Sequence, residues 1–312
     1  PVKTVRELLD KYPNPSGYGK TLLYCDSVIG WAWIAFKNYD FTANPLGFSD
    51  AVLPYIEKNY NAIKGIFYAD AFGVDFHKTG FSPYISSAFV YKNAEEFESI
   101  LSRGQSAYLQ PRSPYNPLNY TLEVSRAATG SMVGWATLKF FGHEGFQSVL
   151  GGILENTVYL QQCITETPEM ICVNPADYGL VTLLRIYPKG TDARKQYKNE
   201  LSNASFRKDL LDHNALTHQI GDTLFAWFRS GKRIDGLCTP YLSFSTGFRA
   251  TEYNRDLQDN DAVIYAIKMF PMNVHITPEV MKHVLKCVIA ARDDVMERRR
   301  EDGSYTSQLY KK

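Results

Sequence analysis

The chain has 312 residues, of which 45% are hydrophobic and 21% charged, an ordinary composition for a globular protein of one large or two smaller domains. Its 34 Lys and Arg residues nearly balance its 33 Asp and Glu residues, so charge does not indicate a nucleic-acid partner. No segment approaches the ~18 consecutive apolar residues of a membrane span. The five cysteines are scattered. We therefore expect free thiols, a cytoplasmic protein, and no metal site, nucleic-acid partner or membrane partner.

The first part of the chain predicts alternating helices and strands, from apolar periodicity and helix-capping residues. The helix at 50–64 is expected to open at Ser49 or Asp50. A proline-containing segment, 110–120, is too long and too aromatic for a simple linker. The predicted helices are 5–11, 50–64 and 93–103, and the predicted strands are 21–29, 71–76 and 87–91.

The second part predicts two long helices separated by Gly142, and then a smaller mixed unit. A polar helical region is expected to break near 202–205, and the last helix is expected to be entered at Thr277. The predicted helices are 126–141, 144–165, 215–230 and 278–299, and the strands are 170–173, 180–186, 241–248 and 262–269. This order predicts an α/β segment followed by a smaller α+β unit.

Two charged residues stand at the ends of predicted strands. Asp26 ends an apolar strand, where α/β folds place their ligands. Lys78 follows a second strand, where burial would favour a neutral amine that forms a Schiff base with a carbonyl group. Taken alone, Asp26 is also typical of a residue that caps the next segment, and Lys78 of a residue in a turn. Together they are the two anchors of a pyridoxal phosphate (PLP) site, because a Lys holds the aldehyde and an Asp pairs with the pyridinium nitrogen.

The segments around these residues resemble the PLP-dependent group II amino-acid decarboxylases, most closely the diaminobutyrate-like branch. Tyr-Cys-Asp-Ser at 24–27 matches the strand that ends in Asp followed by a small residue. Asp-Phe-His-Lys at 75–78 matches the strand that leads into His-Lys. Further similarity at 108–109, 125–145 and 266–279 extends the resemblance over nearly the whole chain, which corresponds to the later half of the family's domain.

The resemblance implies a fold-type-I architecture in two parts. Residues 1–165 would be the remainder of the PLP-binding large domain, a mainly parallel sheet with flanking helices and a mobile loop at 106–125. Residues 166–312 would form a small C-terminal α+β domain. The chain begins at Pro1 without Met and without the family's earlier phosphate-binding half. We therefore expect the later part of a longer polypeptide and a homodimer, with a separate N-terminal chain as one way to complete the site.

The resemblance also implies roles for individual residues. Lys78 would be the Schiff-base lysine, and Asp26 the partner of the pyridinium nitrogen. A loop tyrosine would return a proton to the substrate carbon after carbon dioxide leaves. Tyr115 and Tyr120 are the candidates, and Tyr115 is preferred.

Four further residues complete the implied site. Ser27 and His77 would lie beside the cofactor, and Asp75 near its phosphate. Lys268 stands where some members carry an Arg that binds the substrate carboxylate, although a Lys lacks the bidentate geometry of a guanidinium group. The interval between Asp26 and Lys78 is longer than usual in the family, which predicts an insertion within 36–64.

The implied function is PLP-dependent decarboxylation of an L-amino acid to the corresponding amine and carbon dioxide. Other reactions on the same cofactor remain open: a lyase reaction, oxidative deamination to an aldehyde, or aminotransfer. A non-catalytic scaffold is the alternative from a different class. His213 and His218 do not share a helix face well, and we do not expect them to form a metal site.

Overall fold

The computed structural model describes residues 2–12, 14, 20–101, 127–174 and 179–302. Contacts divide the chain into two units, Pro1–Gly151 and Gly152–Lys312. The division at 165/166 that the sequence suggested stays a prediction. Within the described ranges, no helix is both long enough and apolar enough to cross a membrane.

The first unit is built around a three-stranded sheet. Its strands are β1 (Tyr24–Asp26), β2 (Ala71–Asp75) and β3 (Ser87–Tyr91). β2 lies in the centre, parallel to β1 and antiparallel to β3. Because β1 and β2 are parallel, their carboxyl ends reach the same edge of the sheet. The helices are α1 (Val2–Lys11), α2 (Leu53–Ile63), α3 (Ala94–Leu101) and the first part of α4 (Thr129–Glu166), with 3₁₀ helices at Gly30–Asn38 and Lys64–Tyr68.

The prediction of a strand over 21–29 is wrong for most of its length, because β1 covers three residues. After β1 the chain turns: the Ser27 hydroxyl donates to the Gly73 carbonyl at 2.6 Å, and the Trp31 amide donates to the Ser27 carbonyl. The following apolar residues form a 3₁₀ helix that buries Trp33 and Phe36. A short apolar run by itself does not distinguish a buried strand from a buried helical segment.

The start of α2 is also later than predicted. Its N-cap is Val52, which has no side-chain capping bond. The amides of Val52 and Leu53 both donate to the Ser49 carbonyl, so a turn precedes the helix and Ser49 and Asp50 lie before its first residue. Pro54 occupies the first turn of the helix, where its missing amide hydrogen costs nothing.

The long helix α4 contains the predicted break. Gly142 has φ 58° and ψ −164°, a conformation that glycine adopts without steric penalty. The expectation of two helices meeting at this residue is confirmed.

The second unit contains a four-stranded antiparallel sheet packed against helices. The strand order is β4-β5-β9-β8, and all five residues of β5 are buried. Leu184, Leu216 and Val288 belong to one apolar core that joins the sheet to α6 and α7. The elements are α5 (Ala193–Ser202), α6 (Arg207–Ser230), α7 (Pro278–Glu301), β4 (Met170–Cys172), β5 (Thr182–Ile186), the hairpin β6 (Arg233–Ile234) and β7 (Leu237–Cys238), β8 (Ser243–Ala250) and β9 (Val263–Met269).

Candidate active site

Lys78 lies in a tight turn that follows β2. The Lys78 amide donates to the Asp75 carbonyl at 3.2 Å, and the Ser82 amide donates to the Phe76 carbonyl at 3.0 Å. A Cβ atom at Gly80 would lie 2.6 Å from the Phe76 carbonyl oxygen, a contact that backbone atoms cannot relieve easily. The turn therefore requires glycine two residues after Lys78.

Asp75, the last residue of β2, is the centre of the polar contacts at this edge. Its Oδ2 atom lies 2.7 Å from Lys78 Nζ, and its Oδ1 accepts a 2.6 Å hydrogen bond from Ser87 Oγ. Burial alone would raise the pKa of this carboxyl. Hydrogen bonds from Lys78 and Ser87, together with the Lys78 charge, outweigh burial and lower the pKa. Asp75 is therefore an anion at neutral pH.

The sequence predicts a buried Lys78 with a neutral amine. The Lys78 side chain is instead 29% exposed, and its Nζ atom is paired with the Asp75 carboxylate. Thr79, the next residue, is fully buried and donates to the Ile29 carbonyl at 2.9 Å. The lysine therefore projects from a firmly attached turn.

His77 lies between an aromatic ring and the same carboxylate. Its ring centroid is 4.1 Å from that of Tyr84, with 34° between the ring planes. His77 Nδ1 is 2.9 Å from the Ser86 carbonyl oxygen, and Nε2 is 3.6 Å from Asp75 Oδ2. These contacts orient the imidazole beside Lys78.

Asp26 ends β1 at the same edge of the sheet, opposite Gly73 in the parallel register. Its side chain is exposed, and Oδ1 accepts a hydrogen bond from the Val28 amide at 3.3 Å. Ser27 is 3% exposed, and its hydroxyl is bound to the Gly73 carbonyl. The two predicted anchors thus lie at the carboxyl ends of neighbouring parallel strands: Asp26 is the last residue of β1, and Lys78 lies in the turn after β2.

The remaining predicted site residues are Tyr115, Tyr120 and Lys268. The loop 106–125, with Tyr115 and Tyr120, lies outside the described residues. Lys268 belongs to the second unit, where it is exposed on β9, opposite Leu183 on β5 and Ser243 on β8.

Sequence reasoning missed the residues that hold the site together. Ser87 faces Asp75 directly across the antiparallel pair of β2 and β3. Tyr84 covers His77, and Trp31 Nε1 donates to the Asp75 carbonyl at 3.3 Å. An alignment of β2 with β3, started at the turn that connects them, would have identified Ser87 as the residue opposite Asp75.

The two histidines of α6 make separate acidic contacts. His213 Nδ1 lies 2.5 Å from Glu200 Oε1, and His218 Nδ1 lies 3.0 Å from Asp222 Oδ2. Across the described ranges, no group of three or more His, Cys, Asp or Glu residues could hold a metal ion.

The described fold is similar to part of the solved structures of mouse CSAD and Oryza sativa TDC. By sequence, the chain is similar to L-tyrosine/L-aspartate decarboxylase of Methanocaldococcus jannaschii, with 25% identity in an alignment 150 residues long that covers 45% of this chain and 35% of that protein. No family model matches the sequence.

Two solved structures have folds similar to that of this chain. Mouse CSAD in its apo form aligns with 93% of this chain and 48% of its own, at a TM-score of 0.60 and 10% identity. Oryza sativa TDC with PLP and tryptamine aligns with 95% of this chain and 48% of its own, at a TM-score of 0.59 and 10% identity. The chain thus spans about half the length of these structures.

Proposed function

We propose that this chain is part of a PLP-dependent carboxy-lyase that converts an L-amino acid to the corresponding amine and carbon dioxide. The observation that carries the proposal is the position of Asp26 and Lys78, which lie at the carboxyl ends of the neighbouring parallel strands β1 and β2, at one edge of the sheet. A carboxylate and an amine at such an edge are the two groups that bind opposite ends of a pyridoxal ring. The fold shared with TDC, solved with PLP, supports the same conclusion.

The donor set at this edge fits the cofactor. Lys78 supplies a partly exposed primary amine that can attach the aldehyde carbon. Asp26 supplies an exposed carboxylate that can hold the proton on the ring nitrogen. His77, oriented by Tyr84 and the Ser86 carbonyl, supplies an imidazole beside them. Ser27 fixes the end of β1 to β2 through the Gly73 carbonyl, which supports Asp26.

When bound, PLP supplies an electron sink for the bond between the substrate α-carbon and its carboxylate. Asp26 would hold the proton of the ring nitrogen, because an adjacent carboxylate favours the charged form. Tyr115 or Tyr120 would donate the proton that replaces carbon dioxide on the α-carbon. Lys268 would bind the substrate carboxylate as a point charge.

Asp75 was expected near the phosphate of the cofactor. Its carboxylate is an anion paired with Lys78, so it would repel a phosphate group in direct contact. We propose that Asp75 acts on the lysine, and that hydrogen-bond donors other than Asp75 bind the phosphate.

We further propose a homodimer whose site is completed by polypeptide beyond this sequence, on the same chain or on a separate N-terminal chain. Among the described residues, β1 pairs with β2 on one side and with no strand on the other. Its Tyr24 side chain is 52% exposed, and a further strand and its helix would cover this residue.

The five cysteines are free, which suits a cytoplasmic protein.

Reduction by borohydride tests the proposal. The protein, supplied with PLP and with any chain that co-purifies with it, is treated with borohydride and mapped by mass spectrometry. We expect loss of the long-wavelength absorbance band and a pyridoxyl mass on the peptide that contains Lys78, with no adduct in Lys78→Arg. Absence of the adduct in the complete protein would favour the scaffold alternative.

Product analysis then distinguishes reactions on the same cofactor. Amine and carbon dioxide in equal amounts are expected for decarboxylation. An aldehyde with ammonia and carbon dioxide, formed with consumption of molecular oxygen, would indicate oxidative deamination, and a 2-oxo acid with a newly formed amine on the cofactor would indicate aminotransfer.

A further inference from the structure

The two oxygens of Asp75 have different partners. Oδ1 accepts the hydrogen bond from Ser87 Oγ at 2.6 Å, and Oδ2 contacts Lys78 Nζ at 2.7 Å. A carboxylate that is bound at both oxygens cannot rotate without breaking one contact. The position of Oδ2, and with it the position of Nζ, therefore depends on the Ser87 hydroxyl.

The strand register also indicates that the position of Lys78 Nζ depends on Ser87. Asp75 and Ser87 are a directly opposed pair of the antiparallel strands β2 and β3, which brings their side chains close on one face of the sheet. The Trp31 indole, from the 3₁₀ helix, donates to the Asp75 carbonyl and fixes the backbone. The Asp75 side chain is 14% exposed, so solvent competes little for its oxygens.

The groups that face Asp75 come from three elements. The turn contributes the cation Lys78 and the imidazole of His77, whose Nε2 lies 3.6 Å from Oδ2. β3 contributes the neutral Ser87 hydroxyl, and the 3₁₀ helix contributes the neutral Trp31 indole.

We propose that Ser87 is a positioning residue for Lys78. By fixing the Asp75 carboxylate, it keeps the Lys78 amine in its ion pair with Oδ2 until a carbonyl compound is bound. This inference rests on the proposed function, in which Lys78 attaches an aldehyde. A lysine attacks a carbonyl carbon with its lone pair, so the ammonium group must first lose a proton to water and leave Oδ2. Asp75, fixed by Ser87, thereby protects Lys78 from unrelated electrophiles.

Trace acetylation of the protein without cofactor measures this protection. Each lysine is labelled with a small amount of acetic anhydride at neutral pH, and the rate at Lys78 is divided by the rate at exposed Lys37. In Asp75→Asn this ratio should rise roughly threefold or more, the scale of a partly exposed ion pair. In Ser87→Ala it should rise by a smaller factor, because the carboxylate remains but is no longer held in place.

Two variants distinguish a positioning role of Ser87 from a general loss of stability. Ser87→Thr keeps the hydroxyl on a residue that suits a strand and should restore the wild-type ratio. Asp70→Asn removes a comparable partner from Lys20, which lies 2.5 Å from Asp70 Oδ1, and should accelerate labelling of Lys20 but not of Lys78. Thermal unfolding monitored by circular dichroism confirms that each variant is folded.

The inference is overturned if Ser87→Ala leaves the Lys78 ratio unchanged, if Ser87→Thr behaves as Ser87→Ala, or if Asp70→Asn raises the Lys78 ratio equally. Because labelling uses no cofactor, these results are independent of the borohydride experiment. A protected lysine without a pyridoxyl adduct would refute the proposed function, whereas an adduct at an unprotected lysine would refute only the role of Ser87.

Discussion

Arg185 and Glu200 form a completely buried ion pair, with Arg185 Nη2 2.8 Å from Glu200 Oε2 and neither side chain exposed. The same carboxylate accepts a hydrogen bond from the Tyr187 hydroxyl at 3.0 Å and contacts His213 Nδ1 at 2.5 Å. Arg185 Nη1 also donates to Asn214 Oδ1. Both charges are therefore compensated by the hydrogen bonds that a buried pair requires, and the pair connects β5, α5 and α6.

Glu200→Gln should strongly destabilise the protein. The substitution keeps the shape of the side chain but leaves the Arg185 charge buried without a counter-ion, which costs about 3–5 kcal/mol. Urea unfolding measures the free energy of unfolding. Asp259→Asn, in the partly exposed pair with Arg207, is the matched control and should have a much smaller effect. Equal losses in the two variants would contradict the role assigned to burial.

Stability should fall in acid, in part through Glu200. Burial alone would raise the pKa of this carboxyl, but the Arg185 charge and the His213 hydrogen bond outweigh burial and lower it. A group whose pKa is lower in the folded state stabilises the fold above its unfolded pKa, and this contribution is lost as the pH falls through the folded pKa. Below about pH 5, the Tm of the wild type should therefore approach that of Glu200→Gln. Parallel Tm profiles from pH 7 to about pH 3 would refute the assignment.

Asp26→Asn should reduce activity without affecting stability. Asp26 is exposed and its carboxylate contacts the adjacent Val28 amide, so little packing is lost. Without an anion to hold the ring-nitrogen proton, amine formation should slow by about 100-fold or more, the scale for a group that controls a proton in catalysis. The adduct at Lys78 should remain, and Asp40→Asn, at an exposed aspartate outside the proposed site, should retain full activity. An active Asp26→Asn enzyme would exclude the assigned role.

Gly80→Ala should distort the turn that carries Lys78. The new Cβ would lie 2.6 Å from the Phe76 carbonyl oxygen, and such overpacking costs about 1–3 kcal/mol. We expect lower stability in urea and slower formation of the borohydride adduct. Gly152→Ala is the control, because a Cβ there meets no atom within 4 Å. It lies in α4 and should stabilise the helix by roughly 1 kcal/mol. Similar behaviour of the two variants would contradict the tight turn.

Local signals in the sequence determined many of the elements. Thr277 and Pro278 predicted the start of α7, which begins at Pro278 with Thr277 as its N-cap. Asn93 predicted the start of α3, and its side chain accepts a hydrogen bond from the Glu96 amide at 3.1 Å. Gly142 predicted the break in α4. Each prediction rests on interactions within about one helical turn, which a sequence shows directly.

Other features followed from contacts between distant segments. The apolar residues after Asp26 form a 3₁₀ helix instead of a strand, and the turn before it is attached to β2 by the hydrogen bond from Ser27 to Gly73. The hairpin of β6 and β7 was not predicted, since each strand has two residues and shows no periodicity.

The sequence by itself predicted a carboxylate at the end of one strand and a lysine shortly after another, since residue types and turns can be read locally. The parallel order of those strands, the pairing of Lys78 with Asp75 and the support from Ser87 were decided by the tertiary structure. The buried pair of Arg185 and Glu200 was decided in the same way. The physical reason is that hydrogen bonds and ion pairs between distant residues depend on strand register and on exclusion of water, and both arise only when the chain has folded.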